Sequence, residues 1–546
     1  MSTDRLTGGA PVPDPWESLH TAALLGTDRR PLPAPDQSAL YAHEVDRTDP
    51  AAALLELAAL ETVRRRAGAL PTPAAGPPAA PAPEDGRPEL PAPAARRLAL
   101  LLSSRGTGGG VLANLGELLP QWLATARARG FRPPAATVPA LLDAARARSE
   151  LRPDAVALAG PLGRWLAGLN PDWRFVLRTA AGAPENPGPA TGDDHLWHEG
   201  LFAERVTHLT LLRRREPAAG LALLRSTWPT ERAEDRLLFL DALQEGLSPA
   251  DEPFLEAALG DRSKNVRATA AELLSTLPGS ALAARMAERA RAAVHLSEHG
   301  THLLVTPPAE CDAAMQRDGI PPQSPTGRGE RAWWFGEVIA AAPLAVWPGH
   351  TGLVPARLLT LRVGDSIDET SSTWADDLRE AWARAAVRQQ DADWARALLG
   401  PAPSPLPGPG RTARSARTTG APAKLLAVLP PAERAAWTAA FIEAHGLGEA
   451  FQLLGACATP WTPPLSTAVV TALARAAASG AYPWSHSGVL GMTERALSPR
   501  TADAVEALAT EAAPGTAWGE TFARLAGTLR FREAMLAELA VPVDAA

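Results

Sequence analysis

Lysine is almost missing from this chain of 546 residues. Of its 53 Lys and Arg residues only Lys264 and Lys424 are lysine. Together with abundant alanine and 54 prolines, about twice the usual proline share, this skew marks a GC-rich coding bias more than a function. Basic residues as a whole fall short of the 60 acidic ones, for a formal net charge of -7. A dedicated nucleic-acid binder carries the opposite balance, so that class is not expected. Cysteine is confined to Cys311 and Cys457. Two isolated thiols give neither a disulfide framework nor a Cys-based metal site, and they fit a reducing compartment. The first residues are polar, with no apolar stretch of signal-peptide length. Apolar runs are broken by Glu56, Glu337 and Pro343 before they reach about 18 residues, so no membrane span is expected. These absences predict a soluble, cytoplasmic protein. Strand signals are scarce as well, confined to His302–Thr306, stopped by Pro307-Pro308, and to Leu358–Val363.

What the chain does have is helical periodicity. Residues 51–66 follow Asp49-Pro50, a cap and a first-turn proline, and end in arginines that suit a helix C-terminus. Leu98, Leu101 and Leu102 continue the pattern; Trp518, Phe522, Leu525, Leu529 and Phe531 stripe the last long helix, and Thr462-Pro463-Pro464 opens another. Proline-rich stretches at 71–93, 182–194 and 401–422 interrupt these runs, because proline removes a donor and bars its predecessor from helical geometry. The expected organisation is an N-terminal helical segment (1–70), a linker (71–93), a helical-repeat domain (94–400), a Pro/Arg linker (401–422) carrying Arg411, Arg414 and Arg417, and a C-terminal helical unit (423–546).

Residues 217–290 are the core of the repeat expectation. Phe254, Leu255, Ala258 and Leu259 form a short apolar face, a turn follows, and Val266, Ala270, Leu273, Leu274 and Leu277 recur on a second helix with Ser263 as its cap. Upstream, Pro217–Thr227 and Glu231–Leu247 make a similar pair, and matching Leu224 to Leu259 gives a shift of 35 residues. Helix pairs at a fixed interval predict an all-α, stacked α-solenoid. The string Leu259-Gly-Asp261-Arg-Ser-Lys-Asn-Val266-Arg267 resembles the second half of a HEAT repeat, and the resemblance implies that Asp261 and Arg267 stack as ladder residues between repeats.

A wider resemblance is carried by Thr21-Ala-Ala-Leu-Leu-Gly-Thr-Asp-Arg-Arg-Pro31, the DRSKNVR segment with the following LPGSALAARM, Arg317-Asp318-Gly319-Ile320, Pro343-Leu344 with Trp347, and Phe531-Arg-Glu-Ala-Met-Leu536. Through these pieces the chain resembles a family of bacterial, mainly actinobacterial, helical proteins without an assigned activity. Genes of that family often neighbour those for MoxR-type AAA ATPases, von Willebrand A-domain proteins and SWIM zinc-finger proteins, which implies a partner set and no site.

Several constellations could carry chemistry. His295-Leu-Ser-Glu298-His299 is a literal H-x-x-E-H, whose spacing puts two imidazoles on one helical face to hold Zn²⁺ while the Glu activates the bound water. Gly300 follows at once, and a third ligand is available only among Asp376, Asp377 and Glu380, so a frayed polar helix end is the preferred reading. His195 and His198 flank Trp197; a helix start with the tryptophan packed inward is preferred to a surface metal site. Arg105-Gly-Thr-Gly-Gly-Gly110 lacks both the third glycine of a dinucleotide loop, Val111 standing there, and the Gly-Lys of a P-loop. Asp28-Arg29-Arg30-Pro31 reads equally as a helix end or as Arg forks for an acidic partner, and Arg213-Arg214-Arg215 reads as a solvated helix terminus. Arg317 and Asp318 sit in an Asp-Gly turn with partner contact as the second reading. Trp333, Trp334, Trp374 and Trp382 crowd one region; aromatics at such spacing are usually core, but a Trp-rich groove would suit a partner.

The function expected from these features is a non-enzymatic scaffold or adaptor without cofactor, serving a MoxR-type ATPase or von Willebrand A-domain system. The alternatives are a zinc hydrolase built on His295, Glu298 and His299, and a HEAT-like nucleic-acid binder with an arginine stripe along its helices.

Overall fold

Proline sets where many of the helices begin, because its missing N–H falls where a helix has no acceptor to offer. In the computed structural model Pro50, Pro217, Pro431 and Pro463 each open a helix. At Pro50–Arg66 the Asp49 carboxylate also accepts from the Ala51 N–H at 2.9 Å and from the Ala52 N–H at 3.3 Å. The structure describes residues 15–34, 44–67, 80–103, 115–180, 193–325, 327, 329–365, 374–401, 422–512 and 515–540. It is all-α: among the described residues the regular structure is helical but for one three-stranded sheet and an isolated bridge between Glu89 and Arg132. No described helix is long and apolar enough to cross a membrane.

Two compact units divide at residues 82 and 83. In the first, Pro15–Leu25 packs on Pro50–Arg66 around Leu19 and Leu57. Gly26 ends the first of these helices, and the Arg29 and Arg30 N–H groups bond back to its carbonyl, so Asp28–Pro31 is a helix-end turn. The second unit runs through both the 94–400 and the 423–546 segments. Its last helix, Ala517–Glu538, buries Trp518, Phe522, Leu525 and Leu529 in one core and Phe531 and Met535 in another built from residues 90–176. Residues 402–421 of the expected linker, and the glycine run after Arg105, lie outside the described residues.

Within the second unit, Phe202–Arg215, Ala233–Ala242 and Lys264–Ser275 pack side by side, with Pro217–Thr227 and Glu252–Ala258 between them in sequence and Ala281–Ala293 after the third. The three begin 31 residues apart each time. The helices between them in sequence, Pro217–Thr227 and Glu252–Ala258, begin 35 residues apart, the shift of the Leu224–Leu259 match, whereas the three stacked helices keep an interval of 31. Arginine follows the same interval. Arg205 reaches forward to Glu231, ahead of the second helix, while lying over the Trp197 and Phe239 rings at 4.6 and 5.0 Å. Arg236 does the same to Asp261, ahead of the third, at 3.1 Å and over Trp228 at 5.6 Å.

Arg213 corrects the reading of its triplet as a solvated terminus. Its side chain is fully buried. Both terminal nitrogens bond the Asp251 carboxylate at 2.9 Å. The remaining N–H groups go to the carbonyls of Pro217, Leu243, Glu245 and Gly246 at 2.6–3.3 Å. Gly220 makes room, since a Cβ there would lie 2.8 Å from Arg213 Cδ. A second buried arginine, Arg532, has no carboxylate. It bonds the Leu497 carbonyl at 2.6 Å and Gln121 Oε1 at 3.0 Å, and burial pushes its pKa down to about 10.

The sheet lies beside the helical stack. Strand β1 (Val294–Leu296) runs antiparallel to β2 (His302–Val305), and β3 (Arg362–Asp365) runs parallel to β2. Val294, Leu303 and Val305 are buried in the largest core, which gives the strands their inward face.

The contrast between the two arginines is measurable by urea denaturation. Arg213→Met strands the buried Asp251 carboxylate and should cost about 3–5 kcal/mol. Arg532→Met strands only two neutral acceptors and should cost about 1–2 kcal/mol. Equal losses would contradict this assignment.

Candidate functional site

The 31-residue interval brings Thr210, Asp241 and Glu272 to equivalent positions on the three stacked helices, where Thr210 is half-buried and Asp241 and Glu272 are exposed. Asp241 and Glu272 line a groove of about 760 Å³ with Gln244, Thr269, Thr276 and Gln390, and Leu247, Leu273 and Leu277 form its apolar part. The far side is the end of the helix Ala375–Arg388. Arg388 grips Glu272 at 2.5 and 2.9 Å and the Ala340 carbonyl at 2.9 Å. The Gln389 amide donates to the Ala342 carbonyl at 2.8 Å and accepts from the Leu344 N–H at 2.9 Å. These bonds clamp the helix end to the neighbouring helix Glu330–Ala341. Gln390 then turns the chain with φ 53°, the one non-glycine residue among those described in that region, and the Asp391 N–H closes the turn on the Ala386 carbonyl at 3.0 Å. Glycine normally fills this position because a Cβ crowds a left-handed backbone.

The groove offers carboxylates, hydroxyls and amides, which suit hydrogen bonding to a polypeptide more than bond-breaking chemistry. Among the described residues no group of three His, Cys, Asp or Glu is placed to hold a metal ion. Both thiols are free. Burial pushes the Cys311 thiol up, with the Asp312 carboxylate adding to it, and burial likewise raises Cys457. A raised thiol is a poor nucleophile at neutral pH.

The residues singled out by sequence fall in different places. His295 lies on β1 opposite Leu304, and Glu298 and His299 lie in the hairpin turn that follows. The helix already ends at Ala293, so neither a helical zinc face nor a frayed helix end exists here; the buried Val294 pairs with Val305 instead. Asp261 and Arg267 do touch, but not as a charge pair. The Asp261 carboxylate takes Arg236 and the Ser263 N–H at 2.8 Å, while Arg267 bonds the Asp261 carbonyl, also at 2.8 Å. Ser263 stands at the N-cap without a capping bond from its hydroxyl. Trp197 is buried against Phe239, with ring centroids 5.2 Å apart. Trp334 and Trp382 are buried, the former donating to the Pro322 carbonyl at 3.0 Å and the latter packed between Trp347 and Trp394. Trp333 and Trp374 are half-buried, with Trp374 edge-on to Phe335. Trp334 and Trp382 therefore belong to the core, and Trp333 and Trp374 pack at its edge.

A family model matches residues 18–539, nearly the whole chain. The chain belongs to DUF5691, a family of unknown function. No curated protein and no solved structure matches it.

In this DUF5691 chain the Arg317–Ile320 turn is a charged pin. Asp318 is buried and accepts from Arg285 at 2.8 Å and from Arg289 at 2.7 Å, while Glu256 holds the other side of Arg285 at 3.1 Å. Gly319, at φ 92°, sits so close to the stack that a Cβ would meet Ala271 Cβ at 2.5 Å. Gly319→Ala should therefore cost about 2–3 kcal/mol, from left-handed strain plus overpacking, read as a lowered urea midpoint. A wild-type midpoint would refute the close approach.

Sequence reasoning missed the exposed aromatics. Tyr482 and Trp484, 65% and 74% exposed, stack with ring centroids 6.1 Å apart in the turn Pro483–His486. The available signal was their place around a proline just after Gly480, outside any helical spacing. Acrylamide quenching of tryptophan emission should lose its most accessible component in Trp484→Phe and keep it in Trp382→Phe.

Proposed function

We propose that this DUF5691 chain is a non-enzymatic adaptor that binds another protein in the groove between its stacked helices and the end of the helix Ala375–Arg388. The observation that carries the reading is that groove. Its polar groups line about 760 Å³, and the arginines beside it are already engaged: Arg388 with Glu272, and Arg214 with Glu245 at 2.6 Å. The same pairing speaks against nucleic acid as the partner, because Glu234, Asp241, Glu245 and Glu272 outnumber the two arginines and repel phosphate. The hairpin position of His295, Glu298 and His299 removes the geometric support for a zinc hydrolase. A MoxR-type AAA ATPase or a von Willebrand A-domain protein is the partner class we propose, within the cytoplasm.

Affinity purification of the tagged full chain from its native host, after mild crosslinking, tests this. A stoichiometric protein partner of either class is expected. Recovery of the chain alone, or of nucleic acid in its place, would overturn the adaptor reading.

A further inference from the structure

We infer that the groove receives an extended segment of the partner carrying a lysine or arginine side chain, with Asp241 taking the cation and Gln390 bonding the segment's backbone. This rests on the adaptor reading and adds to it the chemistry of the ligand.

Charge complementarity selects the occupant. The two carboxylates that line the groove are not equivalent. Glu272 is held by Arg388 in a two-point pair, whereas the exposed Asp241 carboxylate receives only the Gln244 amide, at 2.5 Å. Glu234, about two turns away on the same helix face, adds further negative charge. A basic side chain entering the groove would gain Asp241 without breaking any ion pair. An acidic one would meet two carboxylates and no available cation.

The remaining polar groups select an extended backbone. A helix satisfies its own N–H and C=O groups, whereas an extended segment must find partners for them. The groove supplies side-chain groups for that purpose. The Gln390 amide nitrogen bonds the Val387 carbonyl at 2.7 Å, which leaves its carbonyl oxygen directed away from that bond and able to accept a backbone N–H. The Thr269 hydroxyl lines the same groove. Gln390 is held in a conformation that glycine would adopt more readily, on a helix end immobilised by Arg388 and Gln389. Such a side chain is preorganised, so little freedom is lost when it bonds a ligand.

The test is a selection of random nonapeptides displayed on phage against the immobilised full chain, followed by polarisation measurements with the enriched peptide. The expected peptides are rich in Lys or Arg. Asp241→Asn should weaken the enriched peptide about tenfold. Gln390→Gly should weaken it too while raising the melting temperature, a combination that a purely structural role for Gln390 does not produce. Glu506→Gln, exposed and outside the groove, should change neither. Enrichment of acidic or uncharged peptides, no enrichment, or an affinity insensitive to Asp241→Asn would overturn the inference. Repeating the host purification with Asp241→Asn separates the two proposals. A partner retained by that variant would leave the adaptor standing and remove this groove as its site, whereas no partner with the wild-type chain would remove the adaptor itself.

Discussion

A guanidinium cut off from water must find a hydrogen bond inside the protein for each of its N–H groups, and Arg213 shows how much structure that requirement fixes. Its partners come from the start of Pro217–Thr227, from the turn after Ala233–Ala242, and from Asp251 ahead of Glu252–Ala258. One side chain thus sets the relative positions of three helices and of the turns between them. Had only one of these carbonyls moved, a buried donor would be left unpaired at a cost of about 1–3 kcal/mol. The first of the stacked helices is for that reason fixed against the two connections that follow it.

The arginines at the 31-residue interval divide the remaining work. Arg205 and Arg236 each join one helix to the turn ahead of the next, with an aromatic ring beneath the guanidinium. Arg267 holds the same position without a forward acid and bonds its own turn. Beyond it, the next connection passes to Asp318, which is buried and gathers Arg285 and Arg289. The stack therefore ends its regular pairing at the point where the chain leaves helix for the hairpin. Two of the segments that carry the family resemblance, the DRSKNVR turn and Arg317–Ile320, lie at these pins.

Local chemistry was legible in the sequence, while tertiary partners were not. Asp49-Pro50, Thr462-Pro463 and the Trp518–Phe531 stripe announce their helices because capping and periodicity act over a few residues. The leucine match gives the 35-residue step of Pro217–Thr227 and Glu252–Ala258, but the 31-residue step of the stacked helices is carried by Arg205, Arg236 and Arg267, whose acceptors are not adjacent in sequence. Arg213 looked like a dipole partner, since nothing near it in sequence shows that Asp251, 38 residues on, is buried against it. The H-x-x-E-H was read with the alanine-rich helix before it, but the strand pairing of Val294 with Val305 is a non-local contact that ends that helix first. Trp382 carries no mark that tells a core position from a surface one, whereas Tyr482 and Trp484, around a proline, did.

Burying the charge pairs within the stack has a consequence for what remains outside. Arg205, Arg213 and Arg236 all spend their charge on Glu231, Asp251 and Asp261, acids that lie in turns. The Asp241 carboxylate in the groove is not part of that framework and takes the Gln244 amide instead. Removing it would cost the fold little, since an exposed carboxylate without an ion pair contributes almost nothing to stability. Gln390 goes further, for its backbone would relax if glycine replaced it. Groups that the fold does not need, held on a frame that is fixed by buried arginines, are where a surface built for recognition separates from the structure that carries it.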